Sequence, residues 1–150
     1  MRCVTCKNGT GRPADVELRR EVGGHVFTAT VRGLRCDACG ETFTEGVDGE
    51  RFDYAIAASL SRAAPSGAAF RFLRKLAGLR AMDLGDLLGV TGDTISRWET
   101  EKSPIDRGAF TLLGLMVRDR EVDVTTTLDA LKAAGSPQAL GDEVRLRLAS

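Results

Sequence analysis

The sequence predicts an α+β chain in which a small cysteine-rich β-hairpin module precedes an all-helical domain. Three observations predict it. All four cysteines fall in the first forty residues as two CxxC pairs, Cys3-Val4-Thr5-Cys6 and Cys36-Asp37-Ala38-Cys39. Two β-rich runs flank Gly23-Gly24 between those pairs. From Asp48 onward, apolar residues recur at helical spacing and are interrupted by glycine and proline clusters. The boundaries follow as 1–47 for the front module, 48–67 for a helix and linker, 68–120 for the helical domain and 121–150 for a C-terminal helical extension.

Composition narrows the function classes. Hydrophobic residues at 43% and charged residues at 28% describe a globular chain and not a disordered one. Lys and Arg total 21 and Asp and Glu total 21, which excludes a histone-like polycation. A local basic run nevertheless exists, because Arg71, Arg74, Lys75 and Arg80 occur with no acid between Ala68 and Arg80. No apolar run approaches the roughly 20 residues of a membrane helix, and no apolar signal segment follows Met1, so a cytoplasmic location without membrane contact is expected.

The two CxxC pairs are 29 residues apart. Each such turn places two sulfurs on one side of a tight loop, and two turns can face each other around a tetrahedral ion. Four thiolates about 2.3 Å from Zn²⁺ form a closed structural site with no open position for water. Cys3, Cys6, Cys36 and Cys39 are therefore the expected ligands of one structural Zn²⁺ per chain. Gly40 suits the sharp turn of the second pair, whereas the first pair is followed by Lys7, Asn8 and only then Gly9. Alternatives are a thioredoxin-like redox pair, disulfides, or His25 replacing one cysteine. The first needs a helix start in a βαβ setting and the second suits a secreted chain.

Between the pairs, Val16–Val22 and His25–Val31 read as strands joined at Gly23-Gly24. Asp48–Ala64 reads as a helix with Phe52, Ile56, Ser59 and Leu60 near one face, broken by Ala63-Ala64-Pro65-Ser66-Gly67. Phe70–Ala77 reads as an amphipathic helix that supplies Arg71, Arg74, Lys75 and, just beyond it, Arg80 for phosphate contact. Ala109–Arg118 is a further apolar helix. In the extension, Leu128 and Leu131 suit a short helix stopped by Gly135-Ser136-Pro137, and Leu140 and Val144 suit a final helix.

The most informative stretch is Ala81–Thr100, AMDLGDLLGVTGDTISRWET. Two short helices crossing steeply need a very small residue at the crossing and, four residues on, one that tolerates positive φ. Gly85 and Gly89 meet both demands, and Leu84, Leu88, Val90, Ile95 and Trp98 fall on the inward faces in the same register. This is a helix-turn-helix pattern. Thr91 can cap the second helix, and Gly92, Asp93, Thr94, Ser96 and Arg97 lie away from its core residues. That half of the helix enters the DNA major groove in such motifs, and the Arg97 fork matches the O6/N7 edge of guanine. Asp93 is an acid at the positive helix end, four residues before Arg97, that could hold it or accept from cytosine N4. Lys102 adds a phosphate-contact candidate, and binding should weaken steeply with salt.

One recognition helix reads few base pairs, so a two-fold pair is expected. Leu112, Leu113, Leu115, Met116 and Val117 exceed one helical stripe, and Leu112, Leu115 and Met116 are the candidate dimer interface. One histidine and no Ser/His/Asp or paired-carboxylate arrangement give little material for catalysis, so no enzymatic activity and no small-molecule substrate are expected.

The segments Leu73-Arg74-Lys75, Leu84-Gly85, Leu88-Gly89-Val90 and Ile95-Ser96-Arg97-Trp98-Glu99 resemble an Xre/HigA-type helix-turn-helix. Joined to a CxxC…CxxCGE front module, the layout is similar to MqsA/YgiT-type antitoxins of bacterial toxin–antitoxin pairs, over about residues 1–118. The resemblance implies a lambda-repressor-like helical domain and a homodimer that binds palindromic double-stranded operator DNA and represses its own operon. It also implies a zinc half that neutralises a toxin protein, commonly an mRNA-cleaving ribonuclease. Two positions depart from the family pattern: Asp93 stands where Asn is usual, and Ala81 where Gln is frequent. A stand-alone zinc-containing regulator without a toxin partner, and a thiol enzyme using the CxxC pairs, are the rival readings.

Overall fold

A computed structural model describes residues 1–118 and 136–148. The described elements are β1 (Gly11–Val22), β2 (His25–Cys36), β3 (Thr42–Phe43), α1 (Gly46–Leu60), α2 (Gly67–Leu76), α3 (Ala81–Leu88), α4 (Gly92–Glu99), α5 (Arg107–Arg118) and β4 (Glu143–Leu146). The chain is thus mixed α+β, with a sheet at the front and five described helices behind it. None of those helices is long and apolar enough to cross a membrane.

β1 and β2 form an antiparallel hairpin whose register runs from Val22↔His25 to Gly11↔Cys36. Gly23 at φ 60° and Gly24 at φ 81° make the two-residue loop, the left-handed pair that matches strand twist. Each strand is five residues longer than its apolar alternation suggests, since ladder hydrogen bonds continue through polar positions toward the cysteines. One end of the hairpin therefore carries the sulfurs and the other carries the glycine turn.

The turn end packs onto the helices. Val22, Phe27 and Ala29 share one buried cluster with Phe52 and Ile56 of α1, Phe70 and Leu73 of α2, Leu84 of α3, Ile95 and Trp98 of α4, and Phe110 and Leu113 of α5. Phe70 sits at its centre, edge-on to Trp98 with ring centroids 5.6 Å apart. Arg20 on β1 pairs with Asp53 on α1 across the same junction. Continuous burial thus runs across residue 47, where composition alone suggests a module boundary.

α1 starts two residues earlier than its periodicity suggests and stops at Leu60, its last core residue. Beyond it, Ser61 and Arg62 form a turn, the Arg62 carbonyl accepts from the Gln138 amide at 2.8 Å, and Ala63 bridges Gln138 in parallel, so the helix has ended before Ala63. The C-terminal helix expected around Leu140 and Val144 is corrected by the structure: Glu143–Leu146 is a strand parallel to β2, with Val26↔Glu143 to Ala29↔Leu146 in register. The reason is period. Val144, Leu146 and Leu148 alternate with charged residues, and all three half-bury against the core when the segment pairs with the open edge of β2. Leu128, Leu131 and Gly135 lie outside the described residues.

Candidate metal centre and nucleic-acid interface

The two CxxC loops are built alike. The Lys7 amide donates to the Cys3 carbonyl at 3.0 Å and the Gly40 amide to the Cys36 carbonyl at 3.0 Å. Lys7 and Gly40 hold left-handed φ angles of 60° and 76°. The first loop therefore makes with lysine the turn that the second makes with glycine. Main-chain amides also aim at sulfur, Cys6 N–H to Cys3 Sγ at 3.5 Å and Ala38 N–H to Cys36 Sγ at 3.4 Å.

The loops face each other and bring the four sulfurs within 4.8 Å of one another. Cys3 Sγ lies 3.7 Å from Cys39 Sγ, and Cys6 Sγ lies 3.7 Å from Cys36 Sγ. A tetrahedron with metal–sulfur bonds of about 2.3 Å has edges of about 3.8 Å. All four cysteines are free thiols. These sulfurs can hold one metal ion, and their chemistry and spacing fit a tetrahedral thiophilic one.

The electrostatics agree. The Cys6 amide, and secondarily that of Thr5, holds the Cys3 thiol at about 6. The amides of Asn8 and Gly9 lower Cys6. Although the Glu41 amide pulls the other way, desolvation and the sulfurs of Cys36, Cys6 and Cys3 push Cys39 up to about 12. Amides favour the first negative charges, and desolvation together with hydrogen bonding among the sulfurs holds the last proton in place. A divalent cation at the centre removes that hold.

Gly9 is a part of this centre that spacing alone did not expose. A Cβ there would overlap Cys36 Sγ and lie 2.7 Å from Ala38 Cβ. The Cys3 amide donates to the Gly9 carbonyl at 2.9 Å, and the Thr10 amide to Asp37 Oδ1 at 2.8 Å, which laces the two loops together. His25 sits at the opposite end of the hairpin, where its Nδ1 meets the Gly141 carbonyl at 2.7 Å. It is not part of the sulfur cluster.

The second cluster of predicted residues lies on α3 and α4. A Cβ on Gly85 would stand 2.7 Å from the Val90 carbonyl oxygen and 3.2 Å from the Gly92 amide, so α4 begins against bare backbone. Gly89 ends α3 at φ 71°. Thr91 caps α4, accepting from the Thr94 amide at 3.1 Å, and its hydroxyl also meets Thr94 Oγ1 at 3.0 Å. Leu84, Ile95 and Trp98 are buried, while Asp93, Ser96 and Arg97 are exposed and Gly92 and Thr94 are half-buried. Arg97 Nε donates to Ser103 Oγ at 3.0 Å, so Ser103, and not Asp93, is the residue that holds it. Lys102 is exposed beside it, with its amide on the Arg97 carbonyl at 2.9 Å.

Two of the predicted phosphate contacts change. Arg74 is corrected outright: its side chain is 11% exposed and faces Glu99 across the α2–α4 contact. Its Nε and Nη2 meet the two Glu99 oxygens at 2.5 and 3.2 Å, and its Nη1 donates to the Leu79 carbonyl at 2.7 Å. A basic run cannot reveal which of its members meets an acid 25 residues later. Arg80 is exposed but grips Asp83 at 2.9 and 3.0 Å, and these bonds hold the Asp83 carboxyl below its ordinary range. Arg71 and Lys75 stay exposed and, with Arg20 and Val22, flank a shallow groove at the hairpin turn.

The dimer candidates divide similarly. Leu115 is 6% exposed and packs inside the chain, which removes it, whereas Leu112 at 48% and Met116 at 43% remain on one outer face of α5. Leu112 also borders a cleft with Leu88 and Val90. Against known proteins, neither a family model nor a curated protein matches this sequence.

Proposed function

We propose that this protein is a zinc-stabilised, dimeric, sequence-specific DNA-binding repressor that reads operator DNA with α4. The observation that supports it best is the α3–turn–α4 crossing, where Gly85 admits no side chain and Gly89 turns left-handed. On a lambda-repressor-like reading, this crossing projects the exposed Asp93, Ser96 and Arg97 as a groove-sized ridge. Thr91, Gly92 and Thr94 then form the capped helix start that approaches phosphate. Arg97, steadied by Ser103, is the base reader, and Lys102, Arg71 and Lys75 supply salt-sensitive phosphate contacts. Leu112 and Met116 are the apolar pair that a second copy would cover.

Cys3, Cys6, Cys36 and Cys39 would hold the zinc, which supplies a covalent-strength clasp for the open end of the hairpin and no reactive coordination position. Reduced thiols in this role go with a cytoplasmic protein. The antitoxin role, with repression of its own operon and neutralisation of a ribonuclease toxin, rests on the resemblance of the cysteine module and the helical motif in one chain.

Selection of binding sites from random duplex DNA tests the reading. A palindromic consensus should emerge, and Arg97→Ala should lose about 1–3 kcal/mol of discrimination at one base pair per half-site while folding normally. Absence of a consensus, or unchanged selectivity of the variant, overturns it. Co-purification from the native host then separates the antitoxin, which brings a small ribonuclease with it, from a stand-alone regulator.

A further inference from the structure

The C-terminal strand creates a second basic surface, remote in sequence from α3 and α4. Between α1 and the segment that carries β4 runs an open groove of about 720 Å³. Its floor is mostly apolar: Ala55 and Ala58 leave room on the α1 side beside Ser59, and Leu146 and Leu148 line the opposite wall, with Gln138 between. Its rim is cationic. Arg51, Arg62 and Arg147 border it, against Glu50 as the one carboxylate in the lining. Arg51 is partly compensated by Asp48 at 4.0 Å, but Arg62 and Arg147 meet no carboxylate among the described residues. Tyr54, half-buried at the same wall, adds an aromatic face with a hydroxyl.

Cationic rims over an apolar floor accept a particular chemistry. Carboxylates gain charge-assisted bonds from guanidinium forks, while short apolar side chains between them fill the floor. Duplex DNA satisfies the rim only, because its backbone offers nothing to bury against Ala58 and Leu148. The volume also exceeds what a lone inorganic anion would fill. We propose that this groove is a docking site for an extended, acidic segment of a partner protein, with alternate carboxylate and apolar side chains. The segment's carboxylates meet Arg62 and Arg147, and its apolar side chains lie over Ala58. None of the lining residues belongs to α3 or α4, so the site goes beyond the DNA-binding reading and stands without it.

The test uses the full metal-loaded chain and a blocked hexapeptide of alternating glutamate and leucine, with binding followed by isothermal titration and by the backbone amide spectrum of α1 and β4. Saturable binding that moves the amides of both walls is expected. Arg62→Glu with Arg147→Glu should weaken it by at least about tenfold, as should replacing the peptide's glutamates by glutamine. Ala58→Leu, which fills the floor without changing charge, should weaken it similarly and keeps the proposal testable if the charge reversal disturbs the fold. Hexaglutamate should bind more weakly than the mixed peptide. Absence of saturable binding at millimolar peptide overturns the proposal, as does equal binding by hexaglutamate or indifference to Ala58→Leu. Competition by short duplex DNA that depends on Arg62 and Arg147 would reassign the groove to nucleic acid.

Discussion

The same substitution should have opposite effects at two helical glycines. Gly49 in α1 has nothing within 4 Å of the place its Cβ would occupy, whereas at Gly85 in α3 that place is 2.7 Å from the Val90 carbonyl oxygen and 3.1 Å from the Thr91 carbonyl carbon. Alanine in a helix is favoured over glycine by about 1 kcal/mol through lower unfolded-chain entropy. Gly49→Ala should realise most of this. At Gly85 the same gain meets backbone that must move by several tenths of an ångström, and overpacking of this kind costs about 1–3 kcal/mol. Gly85→Ala should therefore be destabilising by up to about 2 kcal/mol. Trp98, the chain's single tryptophan, is 8% exposed and touches Phe70, so its fluorescence reports unfolding in urea. The midpoint should rise for Gly49→Ala and fall for Gly85→Ala with an unchanged denaturant slope. A rise at both positions would refute the close crossing, and with it the argument for how α4 is aimed.

Three further outcomes are expected. Lys7→Gly relieves a left-handed φ of 60° at the position that matches Gly40, and should raise the stability of the metal-bound chain by about 1 kcal/mol in thermal unfolding. Gly9→Ala places a methyl group on Cys36 Sγ, so competition with a chromophoric chelator should show metal affinity reduced by at least about tenfold. Glu99→Gln leaves the buried Arg74 guanidinium without its counter-charge, which should cost about 3 kcal/mol in urea unfolding, whereas Asp83→Asn at the solvent-screened Arg80 pair should leave the urea midpoint almost unchanged.

The features legible in the linear chain share a property: each is a local constraint with a fixed spacing. Two CxxC turns place sulfurs whatever follows, and the four cysteines do converge. A four-residue step between a side-chain-free crossing and a left-handed turn is set by helix geometry, and Gly85 and Gly89 occupy those two conformations. Thr91 caps α4 because its hydroxyl needs only an amide three residues on. The glycine turn of the hairpin was equally visible, although the strands' full length was not, since ladder bonding through polar residues leaves no hydropathy signal.

Partnerships between distant segments were set by folding alone. Hydropathy sorted Leu112, Leu115 and Met116 together, yet packing buried Leu115 and left the other two outside. Charge sorted Arg71, Arg74 and Lys75 together, yet Glu99 drew Arg74 into an ion pair. Gly9 became indispensable only where the second cysteine loop pressed against it. The last strand is the plainest case: four residues are too few to declare their own conformation, and the vacant edge of β2, more than a hundred positions earlier, supplied the hydrogen-bonding groups that made them extended.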